Sequence, residues 1–362
     1  MKRGRWRDAH ARERRGPRGP RAAQLDRAFD LAAGIVERGD VPCAVLGVSD
    51  ARRTIRCQAF GSQDGEAIDP GAISPVFSVT KPMVAAAAAQ LWERGLIALH
   101  DPVAAYLPGF EANGKEGILV RHLLTHTSGM AEQEPHAVLR ASGTAAELER
   151  SVLATGMDAL PGTRQRYSNT AFIALGMIIA RVSGVPLDRY MDREIFLPLG
   201  MSSTGFDPSR FPGRTILRVP NLTDLGMGPT IEALIPLRLA PAGLFSTAED
   251  VLRFGREFLA GSRPGRILGP AARTAMMSPQ TPGVPPMVPG DFDGWVMGLG
   301  WYLPAPPSHK VIAVDGAAHS GAGGCQVFVS PRWGIAISVI SARIRYRTER
   351  ILNAVLGCLA EG

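Results

Sequence analysis

The pattern of apolar and polar positions predicts strands near both ends of the chain and helices between them. Residues 22–39 have apolar side chains at helical spacing and predict an amphipathic helix. Residues 41–48 and 53–60 predict two strands, joined by a polar turn at 49–52. The alanine-rich segment 81–94 then predicts a long helix.

Helical patterns dominate the middle of the chain, and strand patterns return after it. Predicted helices in the middle cover residues 145–153, 170–182 and 247–259. The later segments are strands at 311–314, 325–329 and 334–341, a hairpin turn at 330–333 and a closing helix at 347–359. The pattern therefore predicts an α/β fold, in which an antiparallel sheet from both ends of the chain is flanked by terminal helices and interrupted by a mostly helical insertion.

The same pattern predicts the domain boundaries. The sheet domain takes residues 22–75 and 290–362, and the mostly helical domain takes residues 76–289. Residues 1–21 form a tail outside both domains. We expect an active site at the junction of the two domains.

The net charge of +7 is concentrated in that tail and does not indicate a nucleic-acid-binding domain. Residues 1–21 carry nine Lys or Arg against two acidic residues, and the rest of the chain has equal numbers of basic and acidic side chains. A tail rich in Arg, Gly and Pro is typical of a disordered, solvated segment. We expect no nucleic-acid partner, with binding of the tail to RNA, DNA or a membrane as the alternative.

The tail also differs from an export signal. Residues 15–21 alternate Arg with Gly and Pro and lead into a polar amphipathic stretch, without the apolar run that a secretory signal needs. The longest apolar runs, at 83–89 and 171–180, are well short of the roughly 20 residues of a membrane span. We therefore expect a cytoplasmic protein with no membrane partner.

No metal site or disulfide is expected. The cysteines Cys43, Cys57, Cys325 and Cys358 are scattered, without a C-x-x-C pair. His122 and His126 have the i,i+4 spacing of two zinc ligands, but the glutamate of H-E-x-x-H is missing and no third ligand is evident. A structural role for His126 at the border of the cleft is favoured, and no cofactor is predicted.

The segment Ser78-Val79-Thr80-Lys81 is the strongest candidate for catalysis. A lysine three residues after a serine lies on the same helix face, so its amine can reach the serine hydroxyl. The chain has only four lysines, which gives the match more weight. Pro82 favours a helix start here, where the backbone N–H of Ser78 is free to donate to an oxyanion.

A second candidate is Tyr167-Ser168-Asn169, directly before a helical pattern. This junction can place a phenol and an amide in one cleft. Beside Lys81, the pKa of Tyr167 is expected to fall, because a positive neighbour favours phenolate. The alternative is that Asn169 caps the helix while Tyr167 packs at the surface.

The third candidate is His319-Ser320-Gly321, which runs into the glycine-rich stretch 321–324. Glycines there allow close approach of the backbone, and a strand edge can supply a second oxyanion N–H. A flexible hairpin and a phosphate loop are the alternatives, but the latter lacks the G-K-[ST] ending.

Together, the ordered motifs resemble the serine β-lactamase and penicillin-binding-protein superfamily. The Y-x-N form of the second motif is similar to the class C β-lactamase branch, which includes DD-peptidases, D-aminopeptidases, family VIII esterases and related acyltransferases. Residues 123–130, 198–201, 242–250 and 298–301 are also similar to that branch. The resemblance covers residues 25–360 and implies a β-lactamase/transpeptidase-like fold.

The resemblance implies a role for each matching residue. Ser78 would be the acylated nucleophile, and Lys81 and Tyr167 would share proton transfer. Asn169 would orient Lys81 and bind the substrate. Lys81 and Tyr167 are alternative bases at this point, because closely coupled groups titrate as a pair.

The third motif would complete the site and also departs from the β-lactamase pattern. His319 and Gly321 would border the substrate, and the N–H groups of Ser78 and Ala322 would hold the oxyanion. β-Lactamases carry a lysine where this chain has His319, and a histidine is mostly neutral at pH 7. This difference argues against a substrate carboxylate and favours an uncharged acyl donor.

We therefore expect a serine hydrolase that cleaves an ester or amide of a small molecule. An acyltransferase using the same intermediate, for example in specialised metabolism, is the first alternative. A true β-lactamase or DD-peptidase and a catalytically silent binding protein are further alternatives. Retention of the serine, lysine, tyrosine and asparagine together argues against the silent protein.

Overall fold

The computed structural model describes residues 22–219, 230–259, 261, 267–305 and 315–360. The basic tail at 1–21 and the predicted strand at 311–314 lie outside the described residues.

Ten strands occur among the described residues. They are β1 (Cys43–Asp50), β2 (Thr54–Gln63), β3 (Glu66–Ala67), β4 (Ser74–Pro75), β5 (Phe245–Ser246), β6 (Trp295–Met297), β7 (Tyr302–Pro304), β8 (Ala317–Gly321), β9 (Cys325–Ser330) and β10 (Ile335–Ser341). Eight of them form one antiparallel sheet in the order β3-β2-β1-β10-β9-β8-β7-β6, while β4 pairs with β5.

Twelve α-helices accompany these strands in the described part of the chain. They are α1 (Asp26–Glu37), α2 (Thr80–Glu93), α3 (Val120–Leu124), α4 (Gln133–Arg140), α5 (Ala145–Ala154), α6 (Asn169–Ser183), α7 (Leu187–Met191), α8 (Leu197–Leu199), α9 (Ile231–Leu234), α10 (Ala248–Arg256), α11 (Pro270–Met276) and α12 (Glu349–Ala360). The longer predicted helices all occur, with ends displaced by a few residues.

The sheet is built from both ends of the chain, which confirms the predicted fold class. β1 lies beside β10, with Val45 opposite Ile340. Alternate side chains of β1 enter two different cores, as the twofold period of a strand requires. Leu46 packs in the core that also contains residues of α1 and α12, and Val45 packs in the larger core with α2, α6 and α10. The central strand is therefore buried on both faces.

The short strands β6 and β7 were not anticipated from the sequence. Each has three residues, too few to establish an alternating pattern. Between them, Gly300 has φ +75° and donates its N–H to the Leu124 carbonyl at 2.9 Å. A Cβ at Gly300 would collide with Ala85 of α2, so glycine allows this connection to lie directly against α2.

No single helix in the described ranges is long and apolar enough to cross a membrane. By length and composition alone, one helix pair bent by 75°, Asn169–Ser183 with Leu187–Leu199, meets that criterion.

Candidate active site

Ser78 lies in a short 3₁₀ turn, Phe77–Val79, immediately before α2. The preceding residue, Phe77, is buried and has φ 47°, in the left-handed region that non-glycine residues rarely adopt. The turn is held in place because the Val76 N–H donates to the Leu244 carbonyl at 2.9 Å. This geometry presents a half-buried Ser78 at the start of α2, close to where the sequence predicted it.

Lys81 is fully buried one turn further on and makes three short polar contacts. Its Nζ donates to Asn169 Oδ1 at 2.9 Å and to the Pro241 carbonyl at 3.0 Å, and it lies 3.3 Å from Ser78 Oγ. Burial lowers the pKa of Lys81 well below its ordinary value, and the negative charge of Glu132 opposes that shift. The Lys81 side chain is therefore biased toward the neutral amine.

The three oxygens around Lys81 match the bonding capacity of a neutral amine. Asn169 Oδ1 and the Pro241 carbonyl can only accept, so they take the two N–H bonds of the amine. The remaining lone pair is directed to Ser78, whose hydroxyl can donate. This arrangement gives Lys81 the geometry of a general base for Ser78.

Tyr167 lies in the same cleft, but the predicted fall of its pKa is wrong. Burial raises the pKa of Tyr167, and the neighbouring Ser78 hydroxyl offsets only part of that effect. The Lys81 Nζ lies 4.4 Å from the centre of the Tyr167 ring and contacts the ring face rather than the hydroxyl. The Tyr167 hydroxyl itself is buried beside Ser78 and makes no hydrogen bond of ordinary geometry in the described structure. Tyr167 is therefore a neutral phenol in this structure.

The junction before α6 places Asn169 toward Lys81 and leaves capping to its neighbour. Ser168 is the N-cap, and its Oγ accepts from the Ala171 N–H at 2.9 Å. The alternative in which Asn169 caps the helix is therefore wrong. Because Ser168 takes the capping role, the side-chain amide of Asn169 is available to contact Lys81.

His319 lies within β8 and is buried beside two tyrosines. Its ring centre is 6.4 Å from that of Tyr167 and 5.1 Å from that of Tyr302. Burial, followed by the charge of Lys81, lowers the pKa of His319 to about 3. Nδ1 lies 3.0 Å from the Ser320 carbonyl, and Nε2 is buried without a partner. This imidazole is uncharged at neutral pH, unlike the lysine of β-lactamases.

The end of β8 lies against the Phe77–Val79 turn that carries Ser78. A Cβ at Gly321 would collide with the Val76 carbonyl oxygen, and a Cβ at Gly323 would lie 2.6 Å from the Phe77 ring. Only glycine permits so close an approach. The backbone next to Gly321 thus reaches the region where the predicted oxyanion donors, the N–H groups of Ser78 and Ala322, would act.

Comparison with known proteins identifies the family. The family model described as Beta-lactamase matches residues 28–356. The chain belongs to the β-lactamase family.

Members of this family with described activities are similar over most of the chain. Esterase EstB of Burkholderia gladioli is 32% identical over 280 residues, which are 64% of this chain and 68% of that esterase. The D-alanyl-D-alanine-carboxypeptidase/endopeptidase AmpH of Escherichia coli strain K12 is 27% identical over 308 residues, 79% of this chain and 77% of that protein.

A solved structure shows the same fold. "EstCE1, a hydrolase with promiscuous acyltransferase activity" has a TM-score of 0.75 at 22% identity, covering 93% of this chain and 99% of that one. As a member of the β-lactamase family, this protein is a β-lactamase-like serine hydrolase.

The close approach of Gly321 to Val76, directly before the Phe77–Val79 turn, can be tested. We expect Gly321→Ala to lower the acylation rate by about a hundredfold, because the methyl group must displace β8 from the backbone of Val76. Gly156→Ala is the control, since a Cβ there meets nothing within 4 Å. Stopped-flow acylation by a p-nitrophenyl ester measures both variants, and equal rates for Gly321→Ala and wild type would contradict the placement.

His122 and His126 accept hydrogen bonds from two different backbone segments. Nδ1 of His122 accepts from the Leu119 N–H at 3.2 Å, and Nδ1 of His126 accepts from the Ser168 N–H at 3.0 Å. His126 also packs on Tyr167, with ring centres 4.6 Å apart. Each ring is therefore engaged by a different backbone segment. In the described ranges, no group of three His, Cys, Asp or Glu side chains could hold a metal ion.

The four cysteines are free thiols. Burial raises the pKa of Cys43 and Cys325 to about 11 and, with a contribution from the charge of Glu249, raises that of Cys57 to about 12. Cys43, Cys57 and Cys325 are therefore protonated at neutral pH, the form in which a thiol is a poor nucleophile.

Two residues that contact the site, Pro241 and Glu132, were not predicted from the sequence. Pro241 acts through its backbone carbonyl, which any residue type could supply, although the neighbouring stretch 242–250 resembled the family. Glu132 contacts the start of α6. The one sequence signal for Glu132 is its position shortly after residues 123–130, the stretch that resembles the family.

Proposed function

We propose that the protein cleaves uncharged esters or amides of small molecules through an acyl-enzyme on Ser78. The observation that carries this proposal is the burial of Lys81, whose Nζ lies 3.3 Å from Ser78 Oγ and donates its hydrogen bonds to two acceptor oxygens. Burial lowers the pKa of this amine and so favours the neutral form that can act as a base, and Ser78 is the one hydroxyl that it contacts in the described structure.

Acylation follows from these contacts. Ser78 Oγ attacks the carbonyl carbon of the substrate while its proton passes to Lys81 Nζ. The oxyanion is stabilised by the N–H groups of Ser78 and Ala322, and the positive end of α2 favours its charge. When the bond to the leaving group breaks, the neutral Tyr167 phenol beside Ser78 donates a proton to the leaving oxygen or nitrogen. Tyr167 then regains a proton from Lys81 once the bound substrate brings the two polar groups into hydrogen-bond contact.

Deacylation reverses the proton path. Water, or an alcohol or amine, attacks the acyl carbon while its proton passes to Lys81. As the bond from the acyl carbon to Ser78 Oγ breaks, Lys81 returns a proton to Ser78 Oγ, which restores the hydroxyl and the neutral amine. Attack by water makes the protein a hydrolase, and attack by an alcohol or amine makes it an acyltransferase. The esterase EstB supports hydrolysis as the first proposal.

Trapping the acyl-enzyme tests this function. The protein is mixed with a short-chain p-nitrophenyl ester, quenched in acid and weighed intact, and a mass increase of one acyl group per chain is expected. The trapped species is then challenged with water, short alcohols and amines. Faster discharge by an alcohol or amine than by water selects the acyltransferase. The absence of any adduct on wild type, or an adduct that persists in Ser78→Ala, would overturn the mechanism.

The neutral His319 predicts a preference for uncharged acyl donors. A substrate carboxylate placed beside His319 would face an uncharged imidazole and a Lys81 amine that is biased to its neutral form. We expect kcat/KM for p-nitrophenyl butyrate to exceed that for nitrocefin, which carries a carboxylate, by on the order of a hundredfold. Similar values for the two substrates would show that the site accepts a carboxylate.

A cytoplasmic location and the absence of nucleic-acid and membrane partners stay predictions. They rest on the composition of residues 1–21, which lie outside the described part of the chain.

A further inference from the structure

Glu132 holds the start of α6 through four hydrogen bonds. Its carboxylate accepts from Ser168 Oγ at 2.5 Å, from the Asn169 N–H at 3.2 Å, and from the Thr170 N–H at 3.2 Å to each oxygen. Only 16% of its side chain is exposed. These N–H groups have no acceptor within the helix, so a carboxylate here satisfies them and the helix dipole together.

Through Asn169, this carboxylate is connected to the catalytic lysine. Glu132 fixes the backbone N–H of Asn169, while Oδ1 of the same residue accepts from Lys81 Nζ at 2.9 Å. Glu132 makes no ion pair with Lys81 itself in the described structure. Its influence on the base is therefore exerted through position and through the electric field.

The charge of Glu132 opposes two positive features of the site, the end of α6 and the ammonium form of Lys81. It raises the pKa of Lys81 against the effect of burial, and it adds to the rise of the Tyr167 pKa. Both effects favour the protonated forms of Lys81 and Tyr167, the two groups that exchange protons in the proposed reaction. Without the carboxylate, both groups would lose their protons at lower pH.

We propose that Glu132 is a positioning residue for acylation, which orients Asn169 toward Lys81 and supplies the negative charge of the proton-transfer network. This inference rests on the proposed role of Ser78 and Lys81.

Other charged groups also face this carboxylate and must be controlled. His136 Nε2, one turn along α4, lies 3.3 Å from Glu132 Oε2. On the loop before α6, Arg166 pairs with Asp158 at 2.5 Å and also binds the Met130 carbonyl. Because His136 is titratable, a His136→Gln variant separates its effect from that of Glu132.

The test compares the pH profiles of kcat/KM for a neutral p-nitrophenyl ester. Glu132→Gln keeps an acceptor oxygen but removes the charge, so the acidic limb is expected to move to lower pH by about one unit. Glu132→Asp keeps the charge on a shorter side chain, so its limb stays near that of wild type while its plateau falls. Glu134→Gln is the matched control, because Glu134 bonds to Thr155 Oγ1 instead of α6.

The outcomes separate this inference from the proposed function. A limb that stays in place in Glu132→Gln, or moves equally in Glu134→Gln or His136→Gln, overturns the role of Glu132 even if the wild type forms a Ser78 adduct. A wild type that forms no adduct refutes the proposed function instead. Thermal unfolding of each variant identifies loss of folded protein, which lowers the plateau without moving the limb.

Discussion

Replacing Lys81 with alanine is expected to lower acylation of Ser78 by about 10²–10⁴-fold, because the hydroxyl loses its only contacting base among the described residues. Ser78→Ala is expected to abolish the adduct. Intact mass spectrometry and stopped-flow release of p-nitrophenol measure the two variants with the same ester.

A second buried lysine provides the control for Lys81→Ala. Lys115 is also fully buried, and its Nζ donates to the carbonyls of Ala112, Leu153 and Thr155 at 2.7, 3.0 and 2.6 Å. Lys115→Ala should lower stability by leaving these carbonyls without a donor, yet keep the acylation rate per folded molecule. Equal losses of acylation in the two variants would show that Lys81 matters for folding alone.

Replacing Tyr167 with phenylalanine is expected to lower acylation by about 10²–10³-fold and to raise stability at the same time. The activity falls because the leaving group loses its proton relay. The stability rises because the Tyr167 hydroxyl is buried without a hydrogen-bond partner, so its removal relieves a desolvation cost of about 1 kcal/mol. Stopped-flow kinetics and denaturant unfolding measure the two effects.

Tyr190→Phe is the matched control for this variant. The Tyr190 hydroxyl is also buried but donates to Gln90 Oε1 at 3.1 Å, away from the site. Its removal should lower stability and leave acylation unchanged. A Tyr167→Phe enzyme with wild-type acylation would refute the relay, and a loss of stability would show that the hydroxyl is satisfied in solution.

The sequence allowed the long elements of the fold to be predicted because each carries its own signals. The helix predicted at 170–182 is α6, where Ser168 supplies a cap and an αL glycine, Gly184, ends the helix. β1 and β2 were predicted within three residues at each end. The three-residue strands β6 and β7 exist only because neighbouring strands complete their hydrogen bonds, so no local pattern marks them.

Within the site, residue types were predictable and their electrostatic environment was not. A serine and a lysine three residues apart suggested their contact directly, since helix geometry fixes it. The pKa of Tyr167 was predicted with the wrong sign, because its desolvation depends on packing by residues distant in sequence. Pro241 and Glu132 were missed for a related reason: tertiary structure brings a carbonyl and a carboxylate to the site from separate loops.

The pairing of β1 with β10 determines when the site can form during synthesis of the chain. During synthesis, Ser78 and Lys81 leave the ribosome long before Gly321 and the strand that contains Ile340. Until β10 inserts between β1 and β9, the central sheet has a gap, and β8, which places Gly321 against the turn that carries Ser78, is not joined to β1. We expect nascent chains that end before β10 to be catalytically silent and to depend on chaperones, since contacts so distant in sequence form slowly. On this view, the enzyme becomes active only after β10 has joined the sheet.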